Sequence, residues 1–307
     1  MTDMLRIEPV KPSQRHRALG FIAAGAPLDR PGKARAEALT RAVESSNVKA
    51  TRVWWARKWR RCLAAAAVLE SSGRAGTLMF SPLWAPGVDA EVLVSVIRAV
   101  SRDALAGGLA LIQTIHHSSS EPEIDAVHAA GYHHLADMSY LRLRLPSSPP
   151  TWDDANLTWY DYDQLSQEEL GRLIEATYEG TQDCPELCGT REIGDVIASH
   201  KNTGVFCPQT WWTVKRDGEP AGCILVNESR DRRDAQVVYI GVVPTCRRAG
   251  IGRAMLRRAQ AASIQKGLKA MTLAADTMND RAMGLYRSEG FAETDRKAAY
   301  VMLRGDM

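Results

Sequence analysis

The chain has 307 residues, 45% apolar and 24% charged, with a formal net charge of +3. This length favours two domains, each able to bury a core of its own, and the near-neutral balance argues against a nucleic-acid partner. No apolar run reaches the ~18 residues of a membrane helix, and the polar, proline-broken start does not read as a signal peptide. No membrane partner is therefore expected, and a reducing cytoplasm is, with the six cysteines as thiols.

In the first half, Trp54, Trp55 and Trp59 alternate with Arg52, Arg57, Lys58, Arg60 and Arg61. Such a mixture can hold single strands of nucleic acid, but an amphipathic element packing its tryptophans between domains is the expectation for a near-neutral chain. In the stretch SPLWAPGVDAE over 81–91, Asp89 is placed to cap a helix. His116-His117 and His133-His134 lack the spacing of metal ligands and are expected at the surface or in turns. Proline and serine crowd at 146–150, PSSPP, which sets expected domains at 1–146 and 152–307.

The second half opens with apolar residues at helical spacing over 164–178, then the loop GTQDCPELCGT, then a short helix over 192–199. Strands are expected over 210–215 and 221–226, joined by an Asp217-Gly218 turn, and over 235–243. A helix over 250–266, a strand over 270–274, a helix over 279–289 and two final strands complete the series. The order is mixed α/β with hairpins first and one crossover later, a mixed sheet of the α+β kind. The halves also echo one another. Gly108-Leu-Ala-Leu precedes Gly131-Tyr132 by 23 residues, and Gly267-Leu-Lys-Ala precedes Gly290-Phe291 by the same 23, which points to duplication of one unit.

The most informative stretch is Val242-Val243-Pro244-Thr245-Cys246-Arg247-Arg248-Ala249-Gly250-Ile251-Gly252-Arg253. A strand ends, a tight loop follows, and a helix begins near Gly250. The first turn of a helix leaves amides unpaired and carries partial positive charge, which suits phosphate. Gly250 and Gly252 let oxygens approach the backbone, while Arg247, Arg248 and Arg253 add charge and forked donors. The dinucleotide and nucleoside-triphosphate glycine fingerprints are both absent.

Arg247-x-x-Gly250-x-Gly252 after a Val-x-Pro strand end resembles the coenzyme A motif of the Gcn5-related N-acetyltransferase (GNAT) superfamily. Asn279-x-x-Ala282-x-x-Leu285-Tyr286-x-x-x-Gly290-Phe291 resembles the same family's second motif at the right distance. The resemblance implies acetyl-CoA, or another acyl-CoA, as co-substrate without a metal. It implies direct transfer to the primary amine of a small molecule, peptide or protein. It places the pantetheine arm along Val242 and Val243, and the pyrophosphate on the amides of Arg248, Ala249, Gly250, Ile251, Gly252 and Arg253. Tyr286 matches the position of the acid that protonates the leaving thiolate, and Asn279 that of a pantetheine ligand. By residue chemistry alone, a core aromatic is the alternative for Tyr286, and Asn279 serves equally as a helix cap. Many relatives carry a glutamate base on the strand before the loop. Here 235–241 reads AQVVYIG, without a carboxylate. Glu228 and Asp234 flank it as candidates, proton loss through water is another route, and a non-catalytic acyl-CoA sensor is the alternative. Glu179, Asp183 and Glu186 lie in the loop expected to wall the acceptor. Cys184, Cys188, His200 and Cys207 lack a second tight pair for zinc. At the equivalent place the first half has no Arg-x-x-Gly-x-Gly, and Asp89 and Glu91 would repel phosphate. It therefore reads as a degenerate GNAT-like unit in a tandem layout similar to that of mycothiol synthase.

Overall fold

The computed structural model describes residues 5–24, 51–59, 61–83, 87–117, 119–152, 156–230 and 233–306. Among them the chain forms two compact units, Met1–Leu135 with Ala298–Met307, and Ala136–Lys297. No described helix is long and apolar enough to cross a membrane. All six cysteines are free thiols.

The elements of the first half are β1 (Arg6–Pro9), α1 (Arg15–Ala24), β2 (Thr51–Lys58), β3 (Arg61–Ser71), β4 (Ala75–Phe80), α2 (Ala90–Ala106), β5 (Leu111–His116), α3 (Glu121–Ala130) and β6 (His133–Arg144). The second half has β7 (Leu157–Asp161), α4 (Gln167–Tyr178), α5 (Ile193–Asn202), β8 (Trp211–Arg216), β9 (Glu219–Glu228), β10 (Ala235–Val242), α6 (Ile251–Gln265), β11 (Ala270–Asp276), α7 (Asp280–Ser288) and β12 (Ala292–Leu303). Two units of one design result. In the first, β1 to β4 pair antiparallel in sequence, β4 pairs β5 in parallel, and β12 pairs β5 antiparallel. In the second, β7 to β10 repeat the antiparallel run, β10 pairs β11 in parallel, and β6 pairs β11 antiparallel. The closing strand of each unit thus comes from the other half of the chain.

That exchange separates the observed units from the expected boundary. The 146–150 stretch lies inside the second unit, because β6 bonds β11 along its length, from Ala270↔Arg144 to Asp276↔Met138. The expected pair of final strands is one strand, β12, whose residues 298–303 bond β5. Its charged middle, Asp295-Arg296-Lys297, looks like a turn but contains no glycine or proline to bend the chain. The echo between halves holds in detail. Gly131 and Gly290 end α3 and α7 at φ 103° and 87°, a left-handed conformation open to glycine. The aromatic after each, Tyr132 and Phe291, is buried.

In the second unit the pleat divides the side chains of the sheet. Trp212, Ile224 and Val226 join α6 and α7 in one cluster, while Trp211, Cys223 and Leu225 join α4 and α5 in another. The Asp217-Gly218 turn has positive φ at both residues, 54° and 86°, as a two-residue hairpin turn requires. In the first unit, Trp55 is buried against α1, and Trp54 donates to Asp103 at 3.1 Å on the face toward α2. Arg52 binds Glu70 and Asp103, and Arg57 stacks over Trp55. Trp54 and Trp55 therefore build the first unit's own cores, whereas Trp59 is 75% exposed and packs in neither; Arg60 lies outside the described residues. The paired histidines sit at strand ends, not in turns, with His116, His128 and His134 arrayed around Tyr300.

Candidate functional site

In the second unit, β10 and β11 pair only at Ala235↔Met271 and Gln236↔Thr272, and then part. The register of β10 against β9 shifts between Val237 and Tyr239, a bulge of one residue. A bulge bends its strand, whereas β11 stays bonded to β6 as far as Asp276. A cavity of about 650 Å³ opens between the parted strands. Val237 to Val242 form one wall, and Leu273 and Ala274 the other. The start of α6, one face of α7 and the loop after α4 complete it. Beyond Gln236, the edge of β10 facing this gap has backbone donors and acceptors that β11 does not reach. Behind β10, Gly241 allows α4 to close in, since a Cβ there would lie 2.5 Å from Thr177 Oγ1.

The loop into α6 turns through two left-handed residues, Arg248 at φ 65° and Gly250 at φ 81°. Gly250 begins the helix with no side-chain cap and no acidic residue in the first turn. Ala254 is the first residue to reach back, to Gly250 O at 3.0 Å, so the amides of Ile251, Gly252 and Arg253 remain without intrahelical partners. These three residues line the cavity. Gly252 also sets the packing of α6 on α7, because an added Cβ would meet Leu285 Cδ2 at 3.1 Å.

The arginines divide their labour in a way the sequence did not reveal. Arg247 donates from Nε to Val242 O, from Nη1 to Gly180 O, and from Nη2 to Thr177 O and Glu179 O, at 2.6–3.1 Å. Four of its five N–H donors hold the end of α4 against the end of β10. It lines the cavity as a clamp on the loop, its fork turned to backbone carbonyls where the sequence suggests a phosphate ligand. Arg253 lines the cavity but binds Glu289 at 2.8 Å and Ser288 at 3.0 Å; Glu289, 4% exposed, is shared with Arg257. Arg248 and Arg281 line the cavity exposed, with no partner among the described residues. Arg281 escaped the sequence reading, although a cation in a helix's first turn opposes the dipole and signals a role outside the helix. Val243 and Ala249 do not line this cavity. Val243 is buried with its N–H on Ala221 O, and Ala249 borders a separate 320 Å³ depression with Arg216 and Arg257.

Tyr286 is 5% exposed, its ring packs on Phe291, and its hydroxyl faces the cavity with no hydrogen-bond partner among the described residues. Burial, reinforced by the charge of Asp183, raises its pKa above the usual tyrosine value, so the proton is retained at neutral pH. Asn279 caps α7 through Oδ1, which accepts from Ala282 N at 3.2 Å, and its remaining amide group borders the cavity.

Neither candidate base flanking β10 reaches the cavity. Glu228 pairs with Lys266 at 2.9 Å and buried Asp234 with Arg142 at 2.7 Å, and neither lines the cavity. Of the three loop carboxylates, Glu179 and Glu186 are not on the wall either; Asp183 is. Its Oδ1 accepts the N–H of Asp276 at 2.9 Å, and Asp276 Oδ2 accepts Cys184 N at 3.3 Å. Crowding by protein, then the Asp276 charge, push Asp183 above the ordinary carboxyl range. Asp276 was missed in the sequence. The DTMN stretch reads as a turn in which its side chain bonds the backbone two residues on, as it does at 2.9 Å, but nothing local brings it to Asp183.

The equivalent place in the first unit is closed. Thr114 Oγ1 donates to Leu78 O at 3.3 Å, bridging β5 to β4, and Phe80 packs on His116, which packs on Tyr300. Asp89 caps α2 by accepting from Val92 N at 3.0 Å, and Glu91 sits in the first turn. The amide that would meet a phosphate is thus occupied, and the local charge is negative.

A sheet that is antiparallel first, parallel later and split at the parallel pair, with an uncapped helix start beside the split, defines an acetyltransferase-type fold. Residues 151–291 match the family model of the acetyltransferase (GNAT) family. Among curated proteins, rat N-acetyltransferase family 8 member 3 is 28% identical over 112 residues, 35% of this chain and 48% of that protein. The match therefore spans about half the length of that relative. Among solved structures, a GCN5-related N-acetyltransferase from Sphaerobacter thermophilus superposes with a TM-score of 0.64 at 17% identity, over 99% of this chain and 97% of its own. A tandem GNAT protein from the clavulanic acid biosynthesis pathway does so with a TM-score of 0.55 at 14% identity, over 98% and 99%. At these identities the likeness is one of fold, and it extends over both units.

Proposed function

We propose that the second unit is an N-acyltransferase that moves an acetyl or other acyl group from its coenzyme A thioester to a primary amine, by direct attack within a ternary complex. The observation that carries this reading is the parting of β10 from β11 over a cavity that also holds the start of α6 and the unpartnered hydroxyl of Tyr286. The free edge of β10 up to Val242 suits the amides of a pantetheine arm, bound as an added strand. Val243 anchors that edge, and Asn279 adds its amide. The pyrophosphate is assigned to the loop and first turn, with the backbone of Ala249, Gly250, Ile251 and Gly252 as donors. Arg248 and Arg253 supply charge, and Arg247 fixes the loop's shape.

A backbone N–H at the end of β10 stabilises the oxyanion. Tyr286, protonated at neutral pH, delivers the proton the departing sulfur needs. The acceptor is an amine on a small molecule, peptide or protein, and no metal is required. The free cysteines accord with a reducing, cytoplasmic setting.

Two measurements on the purified protein test this together. Calorimetry with acetyl-CoA should show one site, and a thiol assay should show CoA release with at least one member of a primary-amine panel. Absence of binding heat with acetyl-CoA and longer acyl-CoAs removes the reading. Heat without release from any amine favours the acyl-CoA sensor.

A further inference from the structure

Resting on the acyltransferase reading, we propose that Asp183, held by Asp276, is the catalytic base of this site: it draws in the acceptor as an ammonium ion and takes its proton before attack. Three features of the cavity lead there. Among the described residues, Asp183 is the carboxylate on the cavity wall, and its Oδ2 has no partner. Asp276, 4% exposed, sits directly behind it, and neither carboxylate forms an ion pair among the described residues. Two adjacent acids without a cation leave local charge that a cationic ligand would satisfy. Independently, Tyr286, 95% buried, lines the same cavity, and its hydroxyl has no hydrogen-bond partner among the described residues. A buried polar group of that kind points to a ligand.

The groups around Asp183 are acidic or neutral. They are Asp276 from β11, Tyr286 from α7, Tyr239 from β10, and Cys184 and Cys188 from its own loop, all of which feel its charge or raise its pKa. The cavity's four cations do not pair with it: Arg247 is occupied by backbone carbonyls, and Arg248, Arg253 and Arg281 belong to the α6 and α7 starts. A carboxyl raised by crowding and by a like charge is a better match to an amine's proton than an ordinary one.

The step balances. An N–H bond of the ammonium breaks and its proton moves to Asp183 Oδ2. The freed electron pair on nitrogen forms the C–N bond to the thioester carbon. The C–S bond breaks, and the sulfur leaves with the proton of Tyr286. The nitrogen's second surplus proton returns to the Tyr286 oxygen. Asp183 then releases its proton to solvent.

The test uses the full chain, Asp183→Asn, which keeps an acceptor for the Asp276 N–H. Acetyl-CoA binding by calorimetry should be unchanged. With n-propylamine at pH 7, kcat/KM should fall at least about 100-fold and recover as pH rises toward the amine's own pKa near ~10. With 2,2,2-trifluoroethylamine, already neutral at pH 7, the loss should be several-fold smaller; a purely structural defect would depress both amines alike. Asp276→Asn should move the pH–rate inflection of n-propylamine to lower pH. Asp183→Asn within threefold of the unaltered protein on n-propylamine at pH 7, or equal losses on both amines, overturns the assignment. No CoA release by the unaltered protein with these two amines or any member of the primary-amine panel overturns the acyltransferase reading, and this inference with it.

Discussion

Arg247 and Arg248 are neighbours of the same type, and the fold gives them opposite tasks. Arg247 holds four backbone carbonyls, whereas Arg248, at φ 65°, lines the cavity without a partner among the described residues. Lysine cannot reach several diverging carbonyls from one ammonium. Arg247→Lys should therefore cost about 2 kcal/mol of stability, seen as a lower thermal midpoint. Arg248→Ala should leave that midpoint in place and weaken acetyl-CoA binding about three- to tenfold in a calorimetric titration. Equal midpoints for both variants would contradict this division. For Tyr286, loss of the hydroxyl removes an acid but little packing. Tyr286→Phe should lower kcat roughly 10²-fold at unchanged acetyl-CoA affinity, and an unaltered kcat in steady-state assays would return Tyr286 to a core role. The sequence named Tyr286, Asn279 and the loop because local spacing carries them. It did not separate the arginines, because three of the four carbonyls that Arg247 binds lie 67–70 residues away in the chain.

At the scale of elements, the site exists because β10 carries a bulge and β11 does not. The strands were legible from their alternation and β-branched content, but the bulge was not, since AQVVYIG reads as regular strand. Gly250 was legible as a helix start, and its φ of 81° explains why a residue with a Cβ fits poorly there. Gly250→Ala should cost about 1 kcal/mol in a denaturant titration; a stabilised variant would show that the backbone has another way round the turn. Helix α5 adds a pH response. His200 packs beside Tyr239, and its Nε2 is buried without a partner. Burial and the charge of Arg191 lower its pKa from 6.5 to about 4. The folded state therefore resists a proton that the unfolded state accepts. Above pH ~6.5 neither state binds it and stability is unaffected. As pH falls from ~6.5 toward ~4, stability should decline by up to about 1.4 kcal/mol per pH unit. His200→Gln should flatten that slope in urea titrations between those values. An unchanged slope would mean that other groups set it.

At the scale of the molecule, the two units exchange their closing strands. A fragment cut at the proline-serine stretch, 152–307, would lose β6 and leave the β11 edge bare over Ala270–Asp276, while residues 298–303 would lose β5. An unpaired edge of that length invites aggregation. That fragment should show no cooperative thermal transition, whereas 136–297 should unfold sharply by circular dichroism. A sharp, reversible transition for 152–307 would restore the boundary suggested by composition. The first unit keeps the design of the second but closes its gap with Thr114 and Phe80 and caps its helix with Asp89. Its helix start therefore carries a capped amide and an acidic first turn, where that of the second unit has neither.

By itself the sequence determined the repeat, the order of helices and strands, the glycine-arginine helix start and the tyrosine four residues before Gly290, because each is a pattern within a few turns of chain. Only the tertiary structure decided which strand closes which sheet, that Arg247 clamps while Arg248 is free, and that Asp183 meets Asp276 instead of Glu228 or Asp234 facing the cavity. Those outcomes depend on pairings across tens to more than a hundred residues. Periodicity and spacing record which way a side chain points along its own element, not what stands opposite it.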